Sequence, residues 1–221
     1  MSYSTATPPG AVDERVRTRR WARVFGGGTD GNERLTAATA IVLIALLAVE
    51  GVTIVEMRPL LTVHLFVGLA LIPPIGLKLA STGYRFVRYY GGNVRYRRKG
   101  PPAAVLRATA PIVVVTSVAV LASGVWLLLA GPHSRDTVLP IHKVSFIVWL
   151  AFMGVHVLGH LTGLPTAAAD YGQHTGQPGG DGRFGRRLAL LLALAAGVAL
   201  ALLLAPHYAP WQHNFHFHDH R

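Results

Sequence analysis

The sequence contains no cysteine. That absence excludes disulfides, thiolate metal sites, iron–sulfur clusters and thioether-linked cofactors, and it leaves the redox compartment unread. Charge is also scarce. Asp, Glu, Lys and Arg make up 14% of the 221 residues, where a soluble domain carries about 25%. The charges that are present cluster between long apolar runs, so no sizeable soluble catalytic domain is expected. No glycine-rich phosphate loop follows a strand pattern. Gly26–Gly27–Gly28 and Gly179–Gly180 read as flexible linkers, and no flavin or nicotinamide module is recognisable. A secretory signal peptide is not expected either, because the first apolar run begins only near Leu35, after a polar, arginine-rich leader.

What fills the sequence instead is hydrocarbon: 51% of residues are hydrophobic. A helix crosses the apolar part of a bilayer in about 20 residues, and five runs are long enough. They extend roughly over Leu35–Val55, Leu60–Leu79, Ala108–Ala130, Val138–Leu161 and Leu188–Leu204. The expected fold is therefore an all-α membrane protein: a transmembrane four-helix bundle over residues 35–163 plus a fifth, C-terminal transmembrane helix at 188–205. A basic tail (1–34), a loop (164–187) and a tail rich in histidine and aromatic residues (206–221) complete the organisation. Pro73–Pro74 lies inside the second run and should kink it. The fifth run is almost pure Ala and Leu and offers no polar code for what it packs against.

The net charge of +11 flanks the spans and does not form one soluble face, so anionic lipid headgroups explain it and nucleic acid does not. The N-terminal tail and the loops after the second and fourth spans hold nearly all of the basic residues. The other two loops carry only Arg58 and Arg135. By the positive-inside rule the expected location is the cell (plasma) membrane, with the N-terminus cytoplasmic and the C-terminus external.

Ionisable groups inside a membrane are costly and usually functional. Here they are mostly histidines: His64 in the second span and His142, His156 and His160 in the fourth. His64 and His142 enter their spans from the same side at nearly equal depth. Two imidazoles on parallel helices at one depth suit a shared metal centre. His156 follows His142 by fourteen residues, which returns it to within about 40° of the same helix face, about 21 Å further along the axis. That is the geometry for two stacked redox centres, and a haem takes axial nitrogen ligands in this way. Glu50 stands alone near the outer end of the first span, as a boundary acid or a proton acceptor during quinol oxidation.

The segment Pro140–Ile141–His142–Lys143 through Val155–His156–Val157–Leu158–Gly159–His160, with His64 opposite it, resembles the four-helix membrane cytochromes b. That group includes the b-type subunits of hydrogenases and ferric-reductase-like proteins. The resemblance covers roughly residues 35–163 and implies haem b, one per chain or two. His64 and His142 would be axial ligands of an outer haem, and His156 would serve an inner one. The chain departs from the pattern at the position fourteen residues after His64, which is Lys78 and not histidine. Lys78 is either an amine ligand opposite His156 or a side chain snorkelling to the headgroups. The inner haem is otherwise absent, or held by His156 or His160 with another group. Gly68, one turn from His64, would let a macrocycle approach, or let helices pack closely. Arg135, with Arg58 and Lys143, would meet haem propionates or anchor the interface.

In the C-terminal tail, His216, His218 and His220 form a candidate external site for a divalent metal, although no tight spacing defines a geometry. The functional expectation is electron transfer across or within the bilayer, as a subunit of a membrane oxidoreductase. Quinone or a partner redox subunit would exchange the electrons. A cofactor-free scaffold or assembly subunit, and a metal-ion transporter using the histidines, are the alternatives.

Overall fold

The structure, a computed structural model, describes residues 28–94, 97, 104–161 and 183–212. These residues form helix α1 (Gly28–Val55), α2 (Met57–Ala70), α3 (Ile72–Tyr90), α4 (Ala104–Ala130), α5 (Arg135–Leu161) and α6 (Arg183–Leu203). Short 3-10 turns cover Pro132–Ser134 and Ala205–His207, and no strand occurs among the described residues. Among the described residues five stretches are long and apolar enough to cross a bilayer: Gly31–Val55, Met57–Tyr90, Arg107–Ala130, Pro132–Gly159 and Phe184–Leu203. The chain is thus an all-α membrane protein, and lipid is the environment its surface suits. Val55, Ile147, Leu158 and Leu203 point outward. The buried set includes Thr39, Thr53, Ser81, Ser117 and Ser123. Outward apolar side chains are expected in a medium as apolar as leucine, and the small hydroxyl residues among the buried leucines and valines let helices approach closely. They stay satisfied by bonding helix carbonyls, as Thr39 Oγ1 does to Leu35 O at 2.8 Å.

The second crossing is longer than hydropathy alone suggests, and it is two helices. Pro73 and Pro74 lack amide protons, so Pro74 cannot bond the Ala70 carbonyl four residues earlier, and the helix breaks at Leu71. The freed carbonyl meets α6. A methyl built on Gly197 would overlap the Ala70 oxygen and lie 3.1 Å from Ala70 Cα. Only a glycine lets the two backbones approach this closely. The fifth crossing therefore packs on the bundle, against both halves of the broken helix.

Two sub-assemblies result. Helices α1, α2, α3 and α6 pack on one another, while α4 and α5 form a tight hairpin closed by Gly131, at φ 74, and the 3-10 turn after it. Among the described residues the hairpin meets the rest mainly where α4 touches α2, and α5 packs chiefly on α4 and the turn. Residues 208–212, beyond α6, tie the halves together. Trp211 Nε1 donates to Leu128 O at 3.5 Å, and Gln212 Nε2 donates to Thr62 Oγ1 at 2.6 Å. Leu61, Leu69, Leu128, Ala201, Tyr208 and Trp211 form the core cluster around this clasp.

At the opposite end, α1 begins and α3 ends beside each other. Arg85 pairs with Glu33 at 3.3 Å, and Arg88 lies over the Tyr84 ring at 5.5 Å. This basic, aromatic end has the composition of a headgroup belt.

Candidate cofactor site

The α4–α5 hairpin meets α2 only in part, and a cavity of about 500 Å³ lies between the hairpin and α1–α3. That size falls within the range of about 300–1,000 Å³ typical of cofactor and ligand sites. Its walls are mostly leucine, isoleucine and valine, with Phe146, Trp149 and Trp211. Polar groups are few: Glu50, His64, Ser117, Arg135, His142 and Lys143. Of the residues expected to form a site, His64, His142, Gly68 and Arg135 all line this one space. His64 and His142 each stand seven residues after the first residue of their helices, α2 and α5.

The hydrogen bonds around the two imidazoles define their tautomers. His64 Nδ1 lies 2.9 Å from Glu50 Oε1 and 3.1 Å from Thr53 Oγ1. Thr53 spends its single hydroxyl proton on the Glu50 carbonyl at 2.6 Å, so it can only accept from His64. Nδ1 of His64 therefore carries the proton. His142 Nδ1 lies 3.1 Å from Val120 O, and a carbonyl cannot donate. It also lies 3.1 Å from Ser123 Oγ, whose own proton goes to Val120 O at 3.1 Å. Nδ1 of His142 is again the donor. In both rings the lone pair is left on Nε2, the nitrogen free to ligate a metal, while a carboxyl group or a carbonyl holds the ring from behind. This is the arrangement in which metal-ligating histidines are normally supported.

One glycine makes room for an imidazole. The His142 ring lies across Gly124 of α4, where a β-carbon would come within 3.1 Å of Cε1. Gly68 lines the cavity beside Glu50, whose Oε1 would stand at ordinary contact distance, 3.4 Å, from a β-carbon there. Glu50 is largely buried, at 13% side-chain exposure, and its Oε2 has no hydrogen-bond partner among the described residues. Ser117, at the cavity wall, accepts from Trp149 Nε1 at 2.9 Å, which locks that indole in place.

Lys78 and His156 do not line this cavity. Lys78 is turned to α1, where Nζ donates to Thr36 O at 2.8 Å, beside a polar contact in which Thr36 Oγ1 meets Ser81 Oγ at 3.0 Å. The break at Leu71 lies between His64 and Lys78, so counting fourteen residues along one straight helix does not carry over to this span. His156 is half-buried on α5, two residues from Gly154, which has open space beside it. The side chain of His160, and all of His216, His218 and His220, lie outside the described residues. Among the described residues no cluster of three or more histidine, aspartate or glutamate side chains is arranged to hold a bare metal ion. The cavity instead offers two nitrogen donors, one from each wall. Thr53, Ser123 and Gly124 carry no sequence signal for a place in the site, and Glu50, read from sequence as a boundary acid or a proton acceptor, stands behind His64. An S/T residue one turn from a glycine or an acid is too common a signal in a membrane helix to have marked them.

Comparison of the chain with protein-family models, curated proteins and solved structures finds no match in any of the three.

Proposed function

We propose that the chain is a b-type haem membrane protein that carries electrons within the bilayer, in the manner of the membrane cytochromes b it resembles. The observation that carries this reading is a pair of imidazoles on the two walls of one apolar cavity, each with its proton fixed on Nδ1 and its Nε2 left to bind. The donor set, one imidazole nitrogen from each wall of an apolar cavity, fits haem iron, which His64 and His142 would hold. When bound, haem b supplies a one-electron ferric/ferrous couple. The chain's own part is to bind, orient and exclude water. His64 and His142 would hold the iron, Gly124 gives the His142 ring its place, and Arg135 and Lys143 would neutralise the propionates. The leucine-rich lining keeps the local dielectric low.

The electron partners would be a lipid-soluble quinone or another redox subunit. The basic ends of α1, α3, α4 and α6 would face the cytoplasm, in the plasma membrane, with residues 205–212 on the external side. The test is a reduced-minus-oxidised spectrum of purified protein with haem quantitation. A Soret band with reducible α and β bands, at one haem per chain, is expected. Substituting His142→Ala or His64→Ala should remove it. A colourless protein after supplementation with haem sinks the proposal.

A further inference from the structure

The two proposed ligands are supported by different chemistry. Behind His142 stand a neutral carbonyl, Val120 O, and a neutral hydroxyl, Ser123 Oγ, both at 3.1 Å. Behind His64 stands an acid, with Glu50 Oε1 at 2.9 Å from Nδ1 and Thr53 Oγ1 further off at 3.1 Å. The acid sits in a largely buried position. Among the described residues its ion pair is with His64, no lysine or arginine pairs with it, and its second oxygen accepts nothing. Gly68 of α2 stands beside the same carboxyl group, on the cavity wall.

We infer that Glu50 is the residue that positions and polarises His64, and that it thereby sets a low reduction potential for the haem the cavity would hold. The inference rests on the haem reading above and adds a direction to it. A carboxylate accepting the Nδ1 proton pushes electron density onto Nε2 and makes the imidazole a stronger donor, which favours the more highly charged iron. It also places a negative charge in a low-dielectric wall near a centre that is one unit more positive when oxidised. Charge interactions there are screened far less than in water. Both effects act in the same direction. The half-reaction is a plain one-electron gain by ferric iron, with the electron supplied by the chemical titrant, so no further reactant is required. The protein would then be built as a strong donor whose electrons leave readily for a quinone or a higher-potential partner.

The experiment is a spectroelectrochemical titration of the purified full-length chain, comparing wild type with Glu50→Gln, Thr53→Val and Ser123→Ala. Gln keeps a hydrogen-bond acceptor and removes the charge. Its midpoint should rise by about 59 mV, the value of a tenfold change in a one-electron equilibrium, with haem content retained. Ser123→Ala should move the midpoint much less. Thr53→Val leaves Glu50 as the only acceptor for His64 and should lower the midpoint, which gives a second reading if the Gln variant fails to assemble. A haem-loaded Gln variant with an unchanged or lower midpoint overturns the inference, and so does an unchanged or higher midpoint in Thr53→Val. Wild-type protein that binds no haem would instead refute the reading on which the inference stands, so the two failures are distinguishable.

Discussion

At the scale of the residue, the site depends on small side chains as much as on the histidines. The imidazole of His142 occupies the space a β-carbon would take at Gly124, whereas Gly154 on α5 has nothing within 4 Å. The two glycines therefore separate a packing role from a generic one. Gly124→Val should displace the ring and weaken haem binding by about tenfold or more, in line with losses seen when ligand support is removed. Gly154→Val should bind as wild type. Haem titration of the two apoproteins checks both. The sequence carries the signal for His64 and His142 because depth in a span can be counted. It carries none for Glu50, whose distance from the span end marks it as a boundary acid until the contact with His64 is seen.

At the scale of the element, the broken second crossing is what recruits the fifth. Pro74 withholds an amide proton from Ala70, and α6 brings Gly197 up to the carbonyl thus freed. Gly197→Leu should overpack this crossing and cost about 1–3 kcal/mol, read as a lower unfolding midpoint in detergent. The clasp beyond α6 is a second joint. Tyr208 donates to Ala201 O at 2.7 Å, and burial raises its phenol above the ordinary value of 10.0. A raised acid favours the folded state below the unfolded value and loses that contribution as pH climbs through the folded one. Stability should therefore be flat to about pH 10 and fall above it. In Tyr208→Phe that alkaline fall should shrink, at a cost of about 1 kcal/mol for the lost bond. Unfolding followed by Trp211 fluorescence across pH reports both. These joints explain why Lys78 could not be located by counting. A run of apolar residues announces a crossing, and two prolines announce a break, but neither says through what angle the second half turns. The lysine ended against Thr36 O.

At the scale of the whole molecule, the number of crossings and the all-helical class were legible because lipid demands long apolar segments that satisfy their backbone internally. The division into a packed group and a separate hairpin was not, since it depends on which faces meet. Orientation can be tested cleanly because the chain has no native cysteine to interfere. Single replacements Val94→Cys and His133→Cys, at opposite ends of the bundle, should differ in labelling by an impermeant maleimide in intact cells, with only the His133 site reacting from outside. Labelling at residue 94 alone would invert the topology. The clasp formed by Trp211 and Gln212 has a further consequence. Trp211 lines the cavity, yet it follows all five crossings along the chain, so a ribosome must finish every crossing before that part of the wall exists. Any guest molecule would enter a protein already threaded through the membrane, and truncation before Tyr208 should leave a full set of crossings around a chamber that cannot retain its occupant.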